Sequence, residues 1–171
     1  RAVMIGSYLA TLLGAYLIWL EFRPGRSGGE RPAAVWVVLF TVNVGLGSTL
    51  FFLGSRAYLY HEAILVGATF SVWACWCVLR HFRAPAGRWW RGSLLCGLFA
   101  VHARPPAGLF ALTLLGCAAV ALAWQRRGTP KLAGRHGAIG VAAVLGVLSF
   151  NALSYLKFGT FEGAPLRLSI Q

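Results

Sequence analysis

Three short stretches hold most of the side chains with which this chain could do chemistry. The first is Tyr60-His61-Glu62, inside "GSRAYLYHEAIL", at the join of two long apolar runs. The chain has four acidic residues and no Asp, and Glu62 is one of the four. A carboxylate at a helix start is favoured by the helix dipole. At a membrane edge it can also bind its proton more tightly and serve as a base. A His–Glu pair can contribute to a metal site, but two ligands do not complete one, and no metal is expected.

The second stretch is His102-Ala103-Arg104-Pro105-Pro106. The guanidinium fork of Arg104 suits a phosphate. It could instead reach lipid headgroups along its alkyl stem. His102 is a candidate to line the same site. The third is "NALSYLKFGTFEGAPLRLSI", residues 151–170, where Lys157, Glu162 and Arg167 stand among Phe158, Gly159, Phe161, Gly163 and Pro165. It reads as a structured, aromatic-rich surface segment or as an amphipathic interfacial loop. There is no Ser-His-Asp arrangement, phosphate-binding loop or dinucleotide fingerprint, so the catalytic set is incomplete. Cys75, Cys77, Cys96 and Cys117 all lie within apolar runs and read as small packing residues.

The elements that position these stretches follow from hydropathy. Of 171 residues, 58% are hydrophobic and 12% charged, and the mean hydropathy is +0.68. Soluble domains carry about a quarter charged residues, so this is the composition of a membrane protein. Apolar runs at about 3–20, 34–53, 62–79, 107–124 and 137–156 are each long enough to span; at 1.5 Å per residue each gives roughly 27–30 Å. A sixth run, 92–103, is short and ends at Arg104-Pro105-Pro106, where the prolines stop the helical ladder. It reads either as a tilted crossing that begins at Trp89 and Trp90 or as a half-span. The expected fold is all-α: one polytopic transmembrane bundle over 1–171, of about six helices, one short or broken. Ala63, Gly67, Ser71 and Cys75, at steps of four, predict a close-packing seam on the third helix. Asn43 and Asn151, polar within spans, are expected to bond between helices.

The formal net charge is +12, from 16 Lys and Arg against 4 acids. The basic residues cluster between apolar runs, which points to membrane topology and not to nucleic acid. With residue 1 outside, the loops at 21–33, 80–91 and 125–136 face the cytoplasm and hold eleven of the sixteen basic residues. The positive-inside rule therefore favours that orientation, provided the short run is a true crossing. Tyr60-His61-Glu62, Arg104 and the tail from Lys157 then share the extracytoplasmic face. The chain has no initiating Met and opens almost at once into an apolar run, so it is expected to be an internal segment of a longer polytopic protein.

"YHEAILVGATFSVWACWCVLRHF", "GLFAVHARPPAGLF" and "FNALSYLKFGTFEG" together resemble the core of the bacterial GT-C superfamily of polytopic glycosyltransferases, related to protein O-mannosyltransferases. Glu62-Ala63 matches the acidic helix opening of that family, and Ala103-Arg104-Pro105 its short span ending in an Arg-Pro pair. Asn151, Lys157, Phe158-Gly159 and Phe161-Glu162-Gly163 match its exit motif. The match departs at Thr160-Phe161, where the usual proline is absent and one residue is missing. The resemblance covers roughly residues 58–167. It implies a polyprenyl-phosphate-linked sugar as donor, transferred at the extracytoplasmic face, in a bacterial inner membrane, to a hydroxyl or similar acceptor. The family's catalytic acid sits in the first outer loop, so here it is expected upstream of residue 1. Arg104, Lys157 and Arg56 are the cations available to a departing lipid phosphate. Tyr60, His61, Glu62 and Glu162 would contact sugar or acceptor. The alternative is a segment of a membrane transporter or lipid flippase, which broken helices and intramembrane polar residues also suit.

Overall fold

The computed structural model describes residues 2–22, 34–46, 59–125 and 130–160. Among these residues there are six helices and no strand: α1 (Ala2–Phe22), α2 (Ala34–Phe40), α3 (Leu59–Arg83), α4 (Gly87–Ala103), α5 (Pro105–Gln125) and α6 (Pro130–Phe158). The chain is thus an all-α bundle. α1, α3, α5 and α6 each contain a stretch long and apolar enough to cross a membrane. Residues 47–53 of the second predicted span lie outside the described residues.

The bundle differs from a soluble domain chiefly in its surface, because Leu65, Leu112, Leu115 and Trp90 are buried as in a soluble core. Its buried positions include Thr11, Ser71, Ser93 and Ser154, along with many alanines, while Leu156 is 79% and Trp124 70% exposed. Large apolar side chains outside and small or hydroxylated ones inside are what lipid solvation selects. Tails are as apolar as Leu, so helices associate through close packing and hydrogen bonds. This is an integral membrane protein.

Contacts along the helices fix their directions. Phe70 stacks on Phe99 at 5.2 Å, and Trp76 meets Trp89 edge-on at 5.2 Å, so α3 and α4 run antiparallel. Leu112 packs against Gly97, and Gly108 against Val101, so α4 and α5 form an antiparallel hairpin. Gly140 faces Ala119, and Gly146 faces Leu112, so α6 is antiparallel to α5. Ser7, Ala10 and Thr11 of α1 meet Thr69 and Trp73, and Glu21 meets Arg80 and Arg83, so α1 runs parallel to α3.

The short run therefore traverses the bundle beside α3. Its helix is longer than its apolar residues, beginning at Gly87 and taking in Arg88, Trp89, Trp90 and Arg91. Its 17 residues rise about 25 Å. Arg104 ends it in an extended conformation, φ −151° and ψ 106°, as a residue before proline should. Pro105 then opens α5, where its missing N–H breaks no helical bond.

Two local predictions fare differently. The small-residue seam is real. A Cβ on Gly67 would lie 2.6 Å from Arg104 Cβ and 3.3 Å from Ala107 Cβ, and Ser71 Oγ donates to Ala107 O at 2.7 Å. The two asparagines, however, do not bond between helices through the contacts described. Asn43 Nδ2 donates to Leu39 O at 2.9 Å, and Asn151 Nδ2 to Val147 O at 3.4 Å, both four residues back on their own helix. Thr41 Oγ1 does the same to Val37 O at 2.9 Å. Side chains competing for these carbonyls loosen the regular ladder. Thr41 and Asn43 sit where α2 widens into π-helix over Thr41–Leu46.

Candidate functional site

The helix directions bring the sequence candidates to one end of the bundle. Tyr60, His61 and Glu62 lie in the first turns of α3; Tyr60 is placed by its backbone only, and Glu62 is partly exposed. Arg104, also partly exposed, is pressed against α3 at Gly67. Glu62 lies five residues nearer the end of the bundle than Gly67, about 7.5 Å of helical rise. On α6, Ser149 Oγ lies 3.4 Å from His102 Nε2, and Phe150 packs on the same imidazole at 6.4 Å. Lys157, eight residues on from Ser149, is about 12 Å further out and exposed. Glu62 in α3, Arg104 at the α4–α5 junction and Lys157 in α6 thus gather within about a helical turn or two of one another in depth. Gly159 ends α6 at φ +69°, its N–H returning to Tyr155 O at 2.8 Å. This left-handed C-cap turns the chain out of the helix. Glu162, Arg56 and Arg167 lie outside the described residues.

Toward that end, α1, α3 and α4 enclose a mainly apolar groove of about 460 Å³, lined by Val3, Gly6, Ser7, Ala10, Thr69, Phe70, Trp73 and Cys96. A hydroxyl cluster sits in its wall. Thr11 and Thr69, 2% and 8% exposed, approach to 2.7 Å. Ser7 O and Leu65 O lie within 3.0 Å and 2.8 Å of Thr69 Oγ1. Each hydroxyl has one proton, so Thr11 can donate to Thr69, which donates on to a carbonyl.

The opposite end holds an ion cluster that sequence reasoning did not single out. Glu21, 3% exposed, receives Arg80 Nη1 at 3.4 Å and Arg83 Nε at 3.2 Å. Arg83 Nη2 also donates to the Glu21 backbone carbonyl. Arg80 and Arg83 are three residues apart and so share a helical face. That spacing was visible in the sequence; what α1 placed against it was not. Beside this cluster, Arg80 and Arg88 lie over the Trp89 ring at 5.3 Å and 4.9 Å. A cavity of about 770 Å³ opens at the same end. Cys77 is buried and Cys117 exposed; a Cβ on Gly92 would lie 3.2 Å from Cys77 Sγ, consistent with a packing role.

No protein-family model, curated protein or solved structure matches the chain.

Proposed function

We propose that this chain is part of an integral membrane glycosyltransferase that takes a sugar from a polyprenyl-phosphate donor at the extracytoplasmic face. The carrying observation is the convergence of Glu62, Arg104 and Lys157, scattered over 96 positions of sequence, at one end of the bundle. Those residues belong to the motifs that resemble the GT-C superfamily. The described members of the basic loop clusters, Arg80 to Arg91 and Arg135, gather at the other end. By the positive-inside rule that end is cytoplasmic and the motif end is outside.

In this reading the donor phosphate is held by Arg104, whose guanidinium stabilises charge developing on the departing phosphate. Lys157 adds a second cation at the rim. His61, Glu62 and Glu162, with Tyr60, orient sugar or acceptor hydroxyls. The groove between α1, α3 and α4 accommodates part of the donor's apolar chain. The base that activates the acceptor comes from elsewhere in the protein.

Two experiments test it. Transfer from a synthetic polyprenyl-phosphate sugar by the full-length protein should fall roughly a hundredfold with Arg104→Ala, the scale for removing one charge-stabilising donor, and also fall with Glu62→Gln. Wild-type rates in both variants would remove the site assignment. Separately, His61→Cys and Lys157→Cys should react with an impermeant maleimide in intact cells, and Arg135→Cys only after permeabilisation. Labelling of His61→Cys and Lys157→Cys from opposite sides would end the proposal.

A further inference from the structure

We infer that Gly67 is a positioning residue for Arg104. By having no side chain it lets α3 close on the root of that arginine and fixes where the guanidinium arm starts. The inference rests on the reading of Arg104 as the residue that holds the donor phosphate.

The backbone of Arg104 is held on both sides. Its N–H donates to Ala100 O at 2.8 Å, and its carbonyl accepts from Gly108 N at 3.1 Å. Pro105 favours the extended conformation that Arg104 adopts. Just beyond the turn, the two arms of the hairpin close where Gly108 meets the Val101 backbone. These contacts belong to α4 and α5, and they set the shape of the turn. Its distance from α3 is set by Gly67. That glycine is buried, and a Cβ added to it would lie 2.6 Å from Arg104 Cβ, 3.3 Å from Ala107 Cβ and 3.5 Å from Arg104 N. One turn further along α3, Ser71 donates its hydroxyl to Ala107 O at 2.7 Å. The start of α5 is therefore tied to α3 by a close approach and by a hydrogen bond.

Arg104 Cβ is the root of its side chain and cannot swing aside as the tip can. Unstrained contacts between carbons lie at about 3.5 Å or more, so a methyl group on residue 67 displaces the base of the guanidinium arm by roughly 1 Å. Glycine inside a helix is less favourable than alanine, so an isolated α3 would gain from the substitution that this contact forbids. A fixed donor stabilises developing charge because it need not rearrange as the charge appears. An arginine rooted elsewhere loses part of that advantage, since misplacement by about 1 Å costs up to about a hundredfold in rate.

The test is a double-mutant cycle in the full-length protein, with a synthetic polyprenyl-phosphate sugar as donor. Gly67→Ala should lower kcat by roughly tenfold to a hundredfold. Added to Arg104→Ala, it should change the remaining rate by less than about twofold, because no guanidinium is left to misplace. Arg104→Ala keeps the Cβ that Gly67 abuts. The thermal midpoint should therefore fall equally on adding Gly67→Ala in either background, and only activity should show coupling. A purely structural glycine gives the same fractional loss of activity with and without Arg104, and that result overturns the inference. So does a wild-type rate in Gly67→Ala while Arg104→Ala is slow, which leaves the proposed function standing. A wild-type rate in Arg104→Ala removes the site reading and this inference together. If Gly67→Ala does not fold, Ser71→Ala takes its place in the cycle, with an expected loss of about twofold to fivefold that vanishes in the Arg104→Ala background. If Arg104→Ala leaves no measurable transfer, the same four proteins are compared by their affinity for polyprenyl phosphate, with the same pattern expected.

Discussion

The two ends of this bundle solve the problem of charge in a membrane in opposite ways. At one end Glu21 is buried and clamped by two arginines, on helices held parallel by a hydroxyl cluster further along. At the other, Glu62 in α3, Arg104 at the α4–α5 junction and Lys157 in α6 are partly or fully exposed. Buried ionic groups need partners within hydrogen-bond reach, because an unpaired charge out of water is expensive. Exposed or half-exposed groups can await a ligand. The clamped end has the character of a structural joint, whereas the open end, in the proposed reading, supplies substrate contacts.

That contrast can be broken or sharpened by substitution. The largest effect is expected at the hinge that builds the open end. A Cβ on Gly108 would collide with the backbone N and Cα of Val101, and backbone cannot rotate away as a side chain can. Gly108→Ala should cost about 3 kcal/mol or more of stability, read as loss of folded protein in detergent on heating. Gly116→Ala, with nothing within 4 Å of its added Cβ, should be neutral or stabilising by about 1 kcal/mol through helix propensity.

Next comes the ion cluster. Arg80→Ala combined with Arg83→Ala leaves the buried Glu21 carboxylate without these two partners and should destabilise by about 3 kcal/mol in the same measurement. Glu21→Gln should cost less. The side chains of Arg80 and Arg83 are 27% and 47% exposed and can turn to water or headgroups. Equal losses in the two experiments would mean that the joint is held by Glu21 itself and not by the asymmetry of burial. The smallest effect is expected at the hydroxyl cluster. Thr69→Val keeps the shape and removes the relay between α1 and α3, at about 1 kcal/mol.

Much of the architecture was legible before any coordinates. The number and rough place of the helices follow from runs of apolar residues, because each must satisfy its backbone within itself to cross lipid. The break at Arg104-Pro105 was equally plain, since proline forbids the ladder and biases the residue before it. The seam through Gly67 and Ser71 was readable from a spacing of four. What misled was the polarity of single residues within spans. Asn43 and Asn151 can satisfy themselves on their own helix, and nothing in a linear sequence separates that from a bond to a neighbour. Thr11, Thr69 and Ser93, which the sequence did not single out, make interhelical bonds instead, as does Ser71 of the seam. α4 starts five residues before the apolar run at 92–103 and two before Trp89, the earliest start expected for it, because Arg88 and Arg91 interrupt the apolar pattern without interrupting the helix.

By itself the sequence determined that this is a helical membrane protein with a proline-broken hairpin and basic residues segregated between its apolar runs. Those are properties of the chain and its solvent, fixed residue by residue. Only the tertiary structure decided that Glu21 faces Arg80 and Arg83, that Arg135 stands over the start of α4, and that Arg104 and His102 share one end with Glu62 and Lys157. Such pairings depend on how each helix is rotated and how far it slides against its neighbours. Small residues set that by letting backbones approach, and the outcome is a sum over many contacts that no one segment encodes.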